Sequence, residues 1–241
     1  MRYQLPSSDP KIVIFFGPPG SGKGTQAAVM SATLGIPAIS TGDILRRECA
    51  SGSALGNSVR ATLAAGLLVS DDTINEVVAR RIAKPDCNEG FILDGYPRTL
   101  EQAHFLGDLL QQMDMPEPVV VHLKVTTQDV VDRLTHRLQC SACGKVFRAD
   151  EGKRKTEQVC DRDGSRLIQR ADDNEASIAE RIHVYEVTAS HVIRFYQMKH
   201  EYHRLSGARP PAEVSEHILH VLNREWHQRA MPVEGTIAGA A

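Results

Sequence analysis

The sequence predicts an α/β fold in which helices cover both faces of a central parallel sheet, and three observations carry that reading. Ile12 to Phe16 is an unbroken apolar run between Pro10 and Gly17, as expected of a strand buried on both faces. A glycine-rich loop follows over 17–22, and from Lys23 to about Leu34 apolar residues return at helical spacing before the stop signals Gly35 and Pro37. The alternation recurs at Gly90 to Leu93 and at Pro118 to Val125, so strand, loop and helix repeat along the chain. Such repetition places ligands at the carboxyl ends of the strands.

The chain has 241 residues, enough to bury a sizeable core, and fits one α/β domain with insertions better than two separate domains. Lys and Arg number 28 against 30 Asp and Glu, giving a net charge of -2, so overall attraction to a polyanion is excluded and no nucleic-acid partner is expected. No window reaches the length of apolar residues needed for a membrane span, and Met1 to Pro10 lacks a charged-then-apolar leader pattern. These features predict a cytoplasmic protein with no membrane partner. Of the five cysteines, Cys140, Cys143 and Cys160 cluster, which in a reducing compartment points to metal before disulfide.

Two stretches break the α/β rhythm. Residues 41–69 read as short Gly- and Ala-rich helical pieces, Arg46 to Cys49 and Ala54 to Ala64, carrying few large side chains. Residues 140–170 are polar, with Val146, Phe147, Val159, Leu167 and Ile168 nearly their only core formers, too few to hold a segment of about 30 residues by burial alone. Both read as insertions hung on the sheet, and Ala230 to Ala241 reads as a loose tail.

The loop reads Gly17-Pro-Pro-Gly20-Ser21-Gly22-Lys23-Gly24-Thr25, between a strand and a helix, the context a phosphate-cradling loop requires. Its glycines let backbone N–H groups face a phosphate, the helix N-terminus adds its dipole, and Lys23 reaches the β- and γ-phosphates. Gly24 displaces the hydroxyl expected directly after the lysine, so Thr25 becomes the candidate hydroxyl on the Mg²⁺ side. Gly90-Phe-Ile-Leu-Asp94 ends an apolar strand in a carboxylate beside the loop, the usual place for contacting Mg²⁺ or its water.

The chain resembles the adenylate kinase family from about Lys11 to Leu222, through separated motifs in the family's order: the loop at 17–25, Ile39-Ser-Thr41-Gly-Asp43-Ile-Leu-Arg46, and Gly90-Phe-Ile-Leu-Asp94-Gly95-Tyr-Pro-Arg98-Thr99. The resemblance implies a P-loop NTPase-type three-layer fold with a helical monophosphate-binding insert and a zinc-bearing lid. It implies reversible transfer of a phosphoryl group from MgATP to AMP, giving two ADP. Gly20, Ser21, Gly22, Lys23, Gly24, Thr25, Arg133 and Arg137 would bind ATP, Arg133 also packing on its adenine. Thr41, Arg46, Val69, Gly95, Arg98, Gln102, Arg170 and Arg181 would bind AMP, with Gln102 reading the adenine edge. Lys23, Asp94, Arg98, Arg133, Arg137, Arg170 and Arg181 would carry the catalysis, while Asp172 and Asp173 help close the lid. Thr99 favours adenine, since the similar pyrimidine-nucleotide kinases usually carry Asn there. Leu67, His191 and Leu205-Ser-Gly depart from the family's usual residues without touching the phosphate chemistry.

Cys140-Ser-Ala-Cys143-Gly and Cys160-Asp-Arg-Asp163-Gly share one spacing, and each half ends in glycine, as in the turns that wrap a tetrahedral metal. Zinc accepts a carboxylate beside thiolates; adenylate kinases with a long lid are similar, including a Cys₃Asp set, and Asp161 competes with Asp163 for the fourth place. Cys49 and Cys87 fall outside the cluster.

The expected organisation is a kinase domain over 11–225, an AMP-binding insert over 40–69, a lid over 136–173, and terminal extensions over 1–10 and 226–241. Mg²⁺ with ATP and a structural Zn²⁺ are the expected cofactors, ATP, AMP and ADP the partners, and a monomer the working state. The rival readings are a kinase for UMP, CMP or GMP, and a zinc-knuckle module binding nucleic acid. The second predicts aromatic residues around the cysteines, where Phe147 stands alone among Lys145, Arg148, Lys153, Arg154 and Lys155.

Overall fold

The computed structural model describes residues 9–149, 158–199 and 201–230. In chain order the elements are β1 (Lys11–Phe16), α1 (Lys23–Leu34), β2 (Ala38–Ser40), α2 (Thr41–Ser51), α3 (Ala54–Ala64), α4 (Asp71–Ile82), β3 (Gly90–Asp94), α5 (Leu100–Gln112), β4 (Val119–Lys124) and α6 (Thr127–Thr135). They continue with β5 (Arg137–Cys140), β6 (Val146–Arg148), β7 (Leu167–Ile168), α7 (Glu175–Gln197), β8 (Tyr202–Ser206) and α8 (Pro211–Ala230).

Five parallel strands run in the order β2-β3-β1-β4-β8. The strand alternation decides which helix goes where. On β1, Ile12, Ile14 and Phe16 join a core with Val78 and Ile82 of α4, Leu106 and Leu110 of α5, and Val192 and Tyr196 of α7. Val13 and Phe15 point the other way, onto Ala27 and Met30 of α1 and onto Val214, Ile218, Leu222 and Trp226 of α8. Three layers result, with both sheet faces dry, and the apolar runs are continuous for that reason.

The helix pieces expected within 41–69 are observed as α2 and α3, and α2 is longer than the expected Arg46 to Cys49 because Ser40 caps it by accepting from the Asp43 amide at 3.3 Å. Helix α8 runs through Ala230 with Trp226 only 1% exposed, so the sheet's core takes in part of the segment set aside as the terminal extension 226–241. Residues 1–8 and 231–241 of the expected extensions lie outside the described residues, as do 150–157 of the expected lid.

The expected lid carries its own antiparallel sheet, β6-β5-β7, with a bridge between Val159 and Arg166. Its core is small: Leu138, Cys140, Phe147, Cys160 and Leu167. On β4, His122 accepts or donates between the hydroxyls of Tyr202 at 2.5 Å and Tyr185 at 3.1 Å, tying α7 to the sheet. Burial first, then the charges of Lys124 and Arg204, push its pKa down to about 4, so it stays neutral near neutrality. No helix among the described residues is long and apolar enough to cross a membrane.

Candidate active site

A cleft of 1860 Å³ opens at the carboxyl ends of the sheet strands, between the 41–69 insert and the lid. Its floor is the loop joining β1 to α1. Gly17, Gly20 and Gly22 hold positive φ values of 143°, 72° and 97°, a backbone path that side chains resist. Gly22 is the N-cap of α1 and offers no side chain to the first helical amides, so these donors remain available to an anion. Lys23 folds back over the loop, its Nζ donating to the carbonyls of Gly17 at 2.9 Å and Pro18 at 2.8 Å. Desolvation pushes its pKa down to about 8 against the pull of Asp94, with Arg98, Arg181 and Arg137 adding to the depression.

Asp94 reaches this floor because β3 pairs with β1 in a register that sets it beside Phe15, one residue before the strand ends. Burial raises its pKa, with Lys23 opposing. The displaced hydroxyl now has a physical reason. A Cβ at Gly24 would lie 3.2 Å from Asp94 Oδ2, so a larger residue directly after Lys23 would crowd the carboxylate. Thr25 lines the same cleft.

The cations expected around phosphate converge here. Arg98 lies on the cleft, its Nε donating to the Gly95 carbonyl at 2.8 Å, and desolvation within the cleft followed by the charge of Arg181 lowers its pKa to about 10. Arg133 joins the loop to the turn after β8, donating to Gly207 O at 2.8 Å and to Gly20 O at 3.4 Å. Arg137 makes a two-pronged pair with the buried Asp173, through Nε at 2.7 Å and through a second short bond from Nη2. Arg181 meets Asp173 at 3.1 Å and Asp172 at 3.2 Å. Arg170 has its pKa pushed down to about 10, by burial first and then by Arg46 and Arg137. A cleft crowded with guanidinium groups is a site prepared for a highly charged anion.

Asp43, Asp172 and Asp173 hold these arginines. Arg46 pairs with Asp43 at 2.5 Å and lies 3.9 Å from Asp172, while its Nε is buried without a partner among the described residues. Burial would raise the pKa of Asp43 and of Asp172, but the arginines beside them win and hold both below the ordinary carboxylate value. Asp43 has no separate role in the sequence reading, although it sits inside the motif at 39–46; its three-residue spacing from Arg46 on α2 is the available signal.

On the expected AMP side, Thr41 Oγ donates to Gly95 O at 3.1 Å, and Val69 is buried in the core beneath the insert. Gln102 is 2% exposed; its Oε1 accepts from the Arg98 amide at 2.7 Å and its Nε2 donates to Asp71 at 2.6 Å. Thr99 caps α5 and donates to the same carboxylate at 2.8 Å. Asp71, unremarked in the sequence, therefore organises this corner.

In the lid, ligand atoms of Cys140, Cys143, Cys160 and Asp163 all lie within 4.8 Å of one another. Two thiolates held at about 2.3 Å by one tetrahedral zinc stand roughly 3.8 Å apart, and a thiolate and a carboxylate oxygen roughly 3.5 Å. Cys143 and Cys160 Sγ are 3.7 Å apart, and Cys140 Sγ lies 3.4 Å from Asp163 Oδ1. The sulfurs are thus spaced for a metal and too far apart for a disulfide. Backbone amides of Ala142 and Cys143 donate to Cys140 Sγ at 3.4 Å each and, against burial, hold its pKa below the ordinary thiol value, while that of Arg162 donates to Cys160 Sγ at 3.4 Å. Asp161 is turned to Lys145 at 2.8 Å instead, so Asp163 completes the group.

Comparison with known proteins agrees with this geometry. The family model described as adenylate kinase matches residues 15–201. Among similar curated proteins, an adenylate kinase of Acholeplasma laidlawii is 38% identical over 213 residues, covering 88% of this chain and 98% of the relative. One from Archaeoglobus fulgidus is 39% identical over 212 residues, covering 88% and 98%. One from Rhizobium rhizogenes is 40% identical over 213 residues, covering 88% and 99%.

Proposed function

The chain belongs to the adenylate kinase family and is a nucleoside monophosphate kinase that transfers phosphoryl groups between adenine nucleotides, and from that premise we propose how its residues divide the work. ATP lies on the 17–25 loop, with Gly20, Ser21, Gly22, Gly24 and Thr25 around its phosphates and Arg133 on its base. AMP lies between the 40–69 insert and the segment from Asp94 to Gln102, with Thr41, Val69, Gly95 and Gln102 on its base side and Arg46 and Arg98 on its phosphate. The lid over 136–173 closes on both, within a kinase domain that spans 11–225 and continues to the end of α8.

The acceptor phosphate is already anionic, so the protein need not remove a proton; it must align two phosphates, neutralise them and keep water out. Lys23, Arg98, Arg137, Arg170 and Arg181 do the first two, and closure of the lid does the third. Their convergence on one cleft is the observation that carries this reading. Adenylate kinases use Mg²⁺ with ATP; Asp94 and Thr25 would hold the ion or its water, and the ion would supply positive charge to the β- and γ-phosphates. Cys140, Cys143, Cys160 and Asp163 would hold a zinc in a closed set of protein ligands, which suits a structural ion. A monomer in a reducing, cytoplasmic setting completes the proposal.

The test is a panel of monophosphates with MgATP, followed by inhibition with two adenosines joined through five phosphates. AMP should turn over fastest, and the dinucleotide should compete with both substrates. Faster turnover of UMP or GMP would remove the base roles given to Thr41 and Gln102. Competition with ATP but not AMP would remove the acceptor site from the insert.

A further inference from the structure

Gln139 sits on the middle strand of the lid sheet, with Val146 on β6 and Ile168 on β7 as its register partners. All three line the cleft, and the two partners are 42% and 45% exposed, so this row of the lid is apolar except for one amide. That amide uses both ends. Its Oε1 accepts from Arg170 Nε at 2.6 Å, and its Nε2 donates to the carbonyl of Gly144 at 3.0 Å. The orientation is unambiguous, since a guanidinium only donates and a carbonyl only accepts.

We infer that Gln139 is a positioning residue for phosphoryl transfer: it fixes the roll of the Arg170 guanidinium about its own axis and takes its reference from the cysteine turn of the lid. The inference rests on the phosphate-holding role proposed for Arg170. A guanidinium can present either its two Nη atoms or its Nε and one Nη to a pair of oxygens. With Nε occupied by Gln139, the Nη edge is left for phosphate, and Nη2 stands 3.5 Å from Asp43, the carboxylate that shares the site. The other anchor is equally local. Gln139 directly precedes Cys140, and Gly144, with a φ of 74°, directly follows Cys143. The amide therefore spans the turn that those cysteines make, and a Cβ on Gly144 would come 3.3 Å from its Nε2.

The experiment is a cycle of single-turnover rates on the full chain with MgATP and AMP, using Gln139→Met, Arg170→Lys and the double variant. Methionine keeps length and removes both hydrogen bonds. Misorienting one phosphate-holding group should slow the chemical step by roughly 10- to 100-fold, with KM values, melting temperature and bound metal little changed. Gln139→Glu should recover part of the rate, because its carboxylate still accepts from Nε although it loses the donor to the Gly144 carbonyl. In Arg170→Lys, which has no Nε–H, adding Gln139→Met should cost nothing further. Additive losses, a normal rate in Gln139→Met, no recovery with Gln139→Glu, or loss of metal from Gln139→Met would each overturn the inference. A full rate in Arg170→Lys would overturn the role of Arg170 instead.

Discussion

The Arg170 guanidinium at the foot of the lid lies 3.5 Å from the Asp43 carboxylate on the helical insert. Asp43 also takes Arg46 at 2.5 Å, so one carboxylate joins the helical insert and the expected lid through the cations meant for phosphate. A protein anion and a substrate anion compete for the same partners.

Replacing Asp43 with Asn should therefore strengthen AMP binding several-fold, because phosphate no longer has to displace a charged rival. The unliganded protein should melt earlier, since Arg46 and Arg170 would then repel each other, and added salt should narrow that deficit. Calorimetric titration with AMP and melting curves at two ionic strengths check this. Unchanged AMP affinity would show that Asp43 does not compete.

Lys23→Met and Arg98→Ala should each lower turnover by about 10³-fold or more, the scale for removing a cation from transferring phosphate. Neither should shift the melting temperature much, because Lys23 contacts only loop carbonyls and the Ser21 hydroxyl, and Arg98 the Gly95 carbonyl, among the described residues. A variant with normal turnover would take that residue out of the mechanism.

The Lys23 pKa of about 8 makes ATP binding pH-linked. Above that pH the free protein has lost the Lys23 proton, and bound phosphates must restore it, so binding should take up a proton there and none well below it. Affinity for MgATP should fall as pH rises through the same range. Calorimetry in buffers of different ionisation enthalpy measures the uptake, and uptake persisting undiminished in Lys23→Arg would assign it to another group.

The lid should carry about one zinc per chain. Its apolar core is too small to order it alone, and zinc-finger peptides gain about 10–16 kcal/mol on binding metal, an upper guide here. Chelation should lower the melting temperature while the sheet survives. Asp163→Cys should keep the ion, and Cys143→Ala should lose it. Metal-free protein of equal stability would dismiss the zinc lid.

What the sequence disclosed follows from how each element is held. β1, β3 and β4 were readable because strands buried on both faces are nearly all apolar, His122 and the charged end residues aside, and the loop because its glycines and Lys23 stand in fixed order. β2 spans only Ala38–Ser40, too short to leave a periodic trace. The buried end of α8 was set aside because Trp226 is the last large anchor before a small, polar stretch, and its burial against α1 and β4 is a tertiary fact. The arginines were legible through their motifs. Asp43, the carboxylate beside Arg46 and Arg170, Asp71, which holds Thr99 and Gln102, and the amide of Gln139 were not, since each acts through a neighbour that only folding supplies.

The course of α8 bears on how this molecule could be attached to something else. Its last turn pairs Arg229 with Glu201, just before β8, and with the Glu117 carbonyl, just before β4. Lys11, the first residue of β1, lies over the Trp226 ring at 5.9 Å. The first strand thus begins, and the last helix ends, at the amino edge of the sheet, away from the strand ends that border the cleft. A tether, resin or fused protein joined at either place would leave the cleft facing outward. The same nearness would let a short linker close the two places into a ring, with a new break at the exposed Gly52, between α2 and α3.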